Sequence, residues 1–249
     1  IEPSGIDAIV PQPSPAELAE QQNTNTETCD DGSLIDLMVA YTAAARDLVG
    51  GTESMKALID LRISEMNTAN DDSGAEFDWR LADSMEVTYE ESGDLMTDLD
   101  RLRTDDDSHM DGVHAGRDAA DADLVNLIVA EGTGGACGMA CQMNVLQPWF
   151  SEFAFGVTAL DYPGDYVCSS LTLAHEFGHG MGNAHDYANS AGSALFPYSY
   201  GFQEPNGAFR TIMAYDCKGT SCPRINHWSN PNVTFNDAPT GLAYDGTSN

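Results

Sequence analysis

The residues His175-Glu176-Phe177-Gly178-His179-Gly180-Met181-Gly182-Asn183-Ala184-His185-Asp186 form the stretch best suited to chemistry. If residues 171–180 are helical, His175 and His179 lie four apart and project from one face, so two imidazoles can reach one ion. Glu176 sits on the same turn, where its carboxylate can reach a water at that ion without being a ligand, the position of a general base. Gly182 falls one turn past His179, where a positive φ would let the chain leave the helix and bring His185 round as a third ligand. Three neutral imidazoles leave one tetrahedral position open, and an open position separates a catalytic zinc from a structural one.

Two histidines four apart are common on helix surfaces, but the longer pattern is not. With 6 His and 23 Gly in 249 residues, three His and one Gly at set positions arise by chance roughly once per million starting points. The pattern resembles the signature of the metzincin metallopeptidases, His-Glu-x-x-His-x-x-Gly-x-x-His followed by a Met-turn. Thr211-Ile212-Met213-Ala214-Tyr215 resembles that turn, which implies that Met213 forms an apolar floor beneath the imidazoles. Asp186 after the third histidine resembles the reprolysin-like (adamalysin) branch. Tyr215, two residues past the methionine, resembles astacins and serralysins and implies a hydrogen bond to the oxyanion. A Ser-Asn-Pro passage at Ser229 to Pro231 and the run from Arg117 to Val125 also look like bacterial reprolysin-like enzymes. Together these imply a zinc-dependent endopeptidase acting on protein or peptide substrates.

The elements that must hold these residues follow from periodicity. Leu34 to Tyr41 reads as a buried strand, and Thr42-Ala43-Ala44-Ala45 opens a short helix ending at Gly50-Gly51. Thr52 reads as the N-cap of a long helix whose Met55, Leu58, Ile59, Ile63 and Met66 recur at core spacing as far as Asn70. Phe77, Trp79 and Leu81 alternate with polar neighbours as a strand running on through Val87 and Tyr89; Asp94 to Arg103 is a helix with Leu95, Leu99 and Leu102 inward. Leu124 to Ala130 is the third strand, and Cys137 to Val145 and Phe153 to Leu160 give two more before the zinc helix. Strand alternating with helix is the rhythm of an α/β fold. The metzincin resemblance adds a mixed, mostly parallel five-stranded sheet with an antiparallel edge strand, long helices including the zinc-binding helix, and a small irregular C-terminal subdomain. On the same resemblance, residues 137–145 form that edge strand, and a peptide substrate pairs with it by strand addition. Gly132 to Gly135 lacks the ending of a phosphate loop and reads as a turn.

Forty Asp plus Glu stand against ten Lys plus Arg, a formal charge of −30. Such a surface repels phosphate backbones and anionic lipid, so neither nucleic acid nor membrane is an expected partner. Calcium is a second metal the acids could take, through Asp105-Asp106-Asp107 or Asp71-Asp72. Neither has EF-hand spacing, and each reads better as a solvated loop. No run reaches the length of a membrane span. Six cysteines, Cys29, Cys137, Cys141, Cys168, Cys217 and Cys222, suggest three disulfides in an oxidising compartment and a secreted protein; a monomer is expected. Cys217 with Cys222, and Cys168 with Cys137 or Cys141, are the expected pairs.

Residues 1–28 are rich in Pro, Gln, Asn and Thr and read as an extended arm or propeptide remnant. Residues 29–249 then form the catalytic domain, with an upper subdomain near 33–182 and a lower one near 183–249. Arg210 and Arg224 lie near the Met-turn in a chain poor in cations. They read either as surface ion pairs or as selectors of acidic side chains, as in peptidyl-Asp metallopeptidases. His109, His114 and His227 read as surface or supporting groups. The alternatives are a binding module whose zinc is structural, which would have no use for Glu176, and a latent form with the arm or Cys29 across the cleft.

Overall fold

The computed structural model describes residues 8–11, 32–132, 136–162, 166–190, 193–219 and 221–244. Cys29, most of the arm and the centre of the 132–135 turn lie outside the described residues. Strand β1 is Ala8–Ile9 and β2 is Leu34–Thr42. Helix α1, Ala43–Leu48, begins where Thr42 Oγ1 accepts from Ala45 N at 3.0 Å. Helix α2 spans Thr52–Ser73 and buries Met55, Ile59, Ile63 and Met66 as the spacing requires. Its N-cap is Gly51 rather than Thr52: the glycine's φ of 116° lets the chain turn sharply out of α1, which places Thr52 already inside the helix.

Strand β3 is Asp78–Val87, α3 is Leu95–Arg103 capped by Asp94, and α4 is Gly112–Ala119. Helix α4 is not anticipated, because only Val113 of its eight residues is buried and no apolar stripe marks it. Strand β4 is Leu124–Glu131, β5 is Gly138–Cys141, β6 is Phe155–Tyr162 and β7 is Tyr166–Val167. Helix α5, Thr172–Gly180, follows. Beyond it regular structure is sparse: β8 (Ala184–Asp186), α6 (Tyr187–Ser190), β9 (Tyr200–Gly201) and the β10–β11 ribbon (Thr234–Phe235, Ala238–Pro239).

The main sheet runs β1-β5-β6-β4-β2-β3, with β7 attached to β6. The pairs β2–β3, β2–β4 and β4–β6 are parallel and β5–β6 is antiparallel. The five expected strands are therefore present, extended by two-residue additions at β1 and β7. One expectation changes. Strand β5 is not the bare edge, because Ala8–Ile9 pairs with it in parallel, Ala8 against Ala140 and Ile9 against Cys141, and the Ile9 carbonyl accepts from Gln142 N at 2.6 Å. A strand edge with unpaired N–H and C=O groups attracts any extended segment within reach, and this segment belongs to the chain itself.

One continuous core joins both sheet faces to α2, α3 and α5, and a smaller cluster of Phe202, Phe209 and Ile225 sits in the irregular region. Disulfides link Cys137 to Cys168 and Cys217 to Cys222. Cys141 is a buried thiol whose pKa burial pushes up to about 11, so it stays protonated and unreactive near neutrality. No helix among the described residues is long and apolar enough to cross a membrane.

Candidate metal centre and active site

Every residue of α5 is buried, so this helix passes through the interior rather than along a surface. At its end Gly182 N donates to the His179 carbonyl at 3.0 Å and Asn183 N to the Gly178 carbonyl at 2.9 Å. Gly182 has φ +89°, and Leu195 packs where a Cβ would stand, so both conformation and space require glycine there. That exit leads to β8 and His185.

The three Nε2 atoms of His175, His179 and His185 converge, 3.1 to 3.2 Å apart, on residues that are 2%, 0% and 6% exposed. His175 Nδ1 donates to the Ile212 carbonyl and His179 Nδ1 to the Asn183 carbonyl, both at 2.9 Å. A carbonyl can only accept, so in the neutral rings these bonds put the proton on Nδ1 and leave Nε2 a lone pair facing the centre. Lone pairs at that separation repel unless a cation lies between them. Four tetrahedral ligands at zinc–nitrogen distances of about 2.0–2.1 Å would stand about 3.3–3.4 Å apart, so the donor set fits zinc. Among the described residues this is the one group of three or more His, Cys, Asp or Glu side chains gathered for a metal. The acidic runs at Asp71-Asp72 and Asp105 to Asp107 do not assemble such a group.

Glu176 is 2% exposed, and its side chain lies across two glycines of the sheet. A Cβ on Gly138 would stand 2.7 Å from Glu176 Cδ, and one on Gly156 would stand 3.5 Å from Glu176 Cβ. These glycines, which pattern reading does not single out, make room for the Glu176 side chain between α5 and the sheet. The turn at Thr211 to Ala214 closes with Ala214 N donating to the Thr211 carbonyl at 3.1 Å. Met213 is 3% exposed and packs below α5, its Cε 3.3 Å from where a Cβ on Gly178 would be. Gly201 is a further missed requirement, since a Cβ there would stand 2.6 Å from the Met213 carbonyl carbon.

The Tyr215 ring stacks on His185, centroids 4.1 Å apart and planes 24° apart. Asp186, 4% exposed, accepts from Tyr215 N at 3.2 Å and from Asn189 Nδ2 at 2.8 Å, tying the third histidine's strand to the turn. Arg210 is 3% exposed; its guanidinium donates to the carbonyls of Ala214 (2.8 Å) and Cys222 (3.2 Å) and pairs with Asp216 at 3.7 Å. It is therefore a brace for the turn and its disulfide loop, ion-paired but in the interior rather than on the surface. Arg224 is half-buried on the segment bridged to Arg210. His227 stands outside the triad and supports it through its backbone, whose carbonyl accepts from Ile212 N at 3.0 Å. His114 Nε2 donates to the Leu102 carbonyl (3.0 Å), and His109 packs on Tyr89, so neither joins the triad.

The family model described as metallo-peptidase family M12 matches residues 31–229, which include the triad, Glu176 and the Met-turn. The chain belongs to the reprolysin-like metallopeptidases of family M12. Among similar proteins, "Peptidyl-Asp metalloendopeptidase" of Stenotrophomonas maltophilia is 34% identical over 212 residues, covering 84% of this chain and 48% of the relative. A protein of the same description from Xanthomonas campestris pv. campestris is 32% identical over 244 residues, covering 94% of this chain and 55% of the relative. The M12 chain thus spans about half the length of these curated relatives. A solved structure titled "Structure of a chaperone-substrate complex" shares the fold, with a TM-score of 0.64 and 23% identity over 88% of this chain and 32% of that one.

Proposed function

We propose that this M12 chain is a secreted zinc endopeptidase that hydrolyses peptide bonds, with His175, His179 and His185 as metal ligands and Glu176 as general base. The observation that carries the reading is the convergence of three buried Nε2 atoms, with Glu176 next to the first of these histidines on the same buried helix. Zinc held there would polarise the substrate carbonyl and bring the pKa of a bound water toward neutrality. Glu176 accepts the proton of the attacking water and delivers it to the leaving amine. Met213 supports the ring plane from below, and Tyr215 donates to the developing oxyanion from its place on His185. The two disulfides accord with an extracellular setting.

A peptidyl-Asp specificity is the one we assign. The relatives described as peptidyl-Asp metalloendopeptidases support it, and Arg224 is the candidate cation now that Arg210 braces the turn.

A second reading concerns regulation. Ala8–Ile9 lies on the β5 edge that a substrate strand would use, which favours a form held back by its own arm. Hydrolysis of a peptide containing Asp, measured with and without a chelator and after zinc is restored, tests the main reading. Activity that is lost and then regained supports it; activity indifferent to the chelator refutes it.

A further inference from the structure

The centre of the main sheet contains an asparagine that a folded core would ordinarily avoid. Asn126 on β4 is fully buried, and neither its Oδ1 nor its Nδ2 has a hydrogen-bond partner among the described residues. An unpaired amide in the interior costs stability, and native proteins carry very few. Its placement gives the reason for keeping it. Asn126 pairs in register with Gly156 of β6. A Cβ on Gly156 would stand 2.9 Å from Asn126 Nδ2 and 3.5 Å from Glu176 Cβ, so the amide and the stem of the proposed base crowd over the same glycine. Thr158, two residues further along the same face of β6, is 6% exposed, and its Oγ1 also has no partner. Two unsatisfied polar side chains on neighbouring strands under one helix are the signature of a buried water site, which needs two or more polar partners. Thr158 also lines a cleft of about 300 Å³ behind α5, walled by Ile128 and Leu173, which gives water an entry.

We infer that Asn126 is a positioning residue for Glu176, acting through an ordered water that it holds with Thr158 between the sheet and α5. The inference rests on the reading of Glu176 as the base. Held between Asn126 and Thr158, the water fixes the amide that packs beside the Glu176 stem over Gly156. The carboxylate above Gly138 is thereby kept in one orientation rather than sampling several, and a base misplaced by a fraction of an ångström loses rate without losing substrate.

Replacing Asn126 with leucine separates this role from a structural one. Asn126→Leu exchanges the amide for an apolar side chain of similar size, so the variant should stay folded and its zinc content should stay at about one per chain. Its kcat should fall about tenfold or more, with KM within about twofold. Parental kcat in a folded, zinc-loaded Asn126→Leu protein overturns the inference. If that variant does not fold, Thr158→Val, close to isosteric, should lose the same water and several-fold in kcat, and an unchanged kcat again overturns it. If the parent chain cleaves nothing, the peptidase reading fails separately. A high-resolution crystal structure then decides the water alone: density within hydrogen-bond distance of both Asn126 and Thr158 supports it, and a dry contact overturns it.

Discussion

His175 and Ile212 lie 37 residues apart in the chain, yet the ring Nδ1 of the first donates to the backbone carbonyl of the second at 2.9 Å. The first histidine of the helix is thus oriented by the residue just before Met213, so the helix and the turn form one unit rather than two motifs that happen to be neighbours. Asp186 repeats the arrangement on the other side by accepting from Tyr215 N. Orientation of an imidazole by its second nitrogen fixes tautomer and direction together.

Gly138 should tolerate no side chain. A Cβ there would enter the volume of the Glu176 carboxyl group, and Glu176 cannot retreat through a buried helix. Gly138→Ala should keep zinc and lose turnover by about tenfold or more, read from kcat beside metal analysis. Parental activity would show that Glu176 has room elsewhere.

Tyr215→Phe keeps the ring that stacks on His185 and removes only the hydroxyl. If the hydroxyl serves the oxyanion, its loss should cost about 2–4 kcal/mol of transition-state stabilisation in kcat/KM, with zinc content unchanged. A loss confined to KM would assign the hydroxyl to binding.

The arm strand makes a kinetic prediction. Removing residues 1–11 frees the β5 edge now paired with Ala8–Ile9, and kcat/KM for a peptide should rise, chiefly through KM. A fall would mean that the strand supports the site instead of covering it.

Asp216 anchors the Cys217–Cys222 loop. Burial pushes its carboxyl up, but the N–H groups of Cys222 and Cys217, the Ser221 hydroxyl and Arg210 outweigh this and hold it below the ordinary carboxylate range. A lowered folded pKa stabilises the native state above the unfolded value, about 3.9, and that stability disappears as pH falls through the folded value. Asp216→Asn should therefore lower Tm at about pH 7, and the difference from the parent should shrink toward about pH 3. Thermal melts across that range check the sign.

How much was open to reading in the residues alone depends on what constrained them. The triad and the Gly182 exit are legible because metal chemistry constrains both residue type and spacing, whereas Met213 is legible only through the resemblance to a Met-turn. The buried faces of α2 and α3 are legible because one apolar stripe serves one core. Gly138, Gly156 and Gly201 are not, since a glycine required by close approach looks in sequence like any other. Helix α4 presents one buried residue, and β1 is too short for any period to show. Arg210 shows the limit for charge: its proximity to the turn is readable, whereas its commitment to two carbonyls depends on tertiary geometry.

The central claim is that a metal held by the three histidines acts together with Glu176. Glu176→Gln changes one oxygen and leaves the imidazoles in place, so zinc content and peptide hydrolysis should be measured on the same purified protein. About one zinc per chain with turnover reduced by several orders of magnitude is the expected result. Ordinary turnover in the zinc-loaded variant would contradict the account.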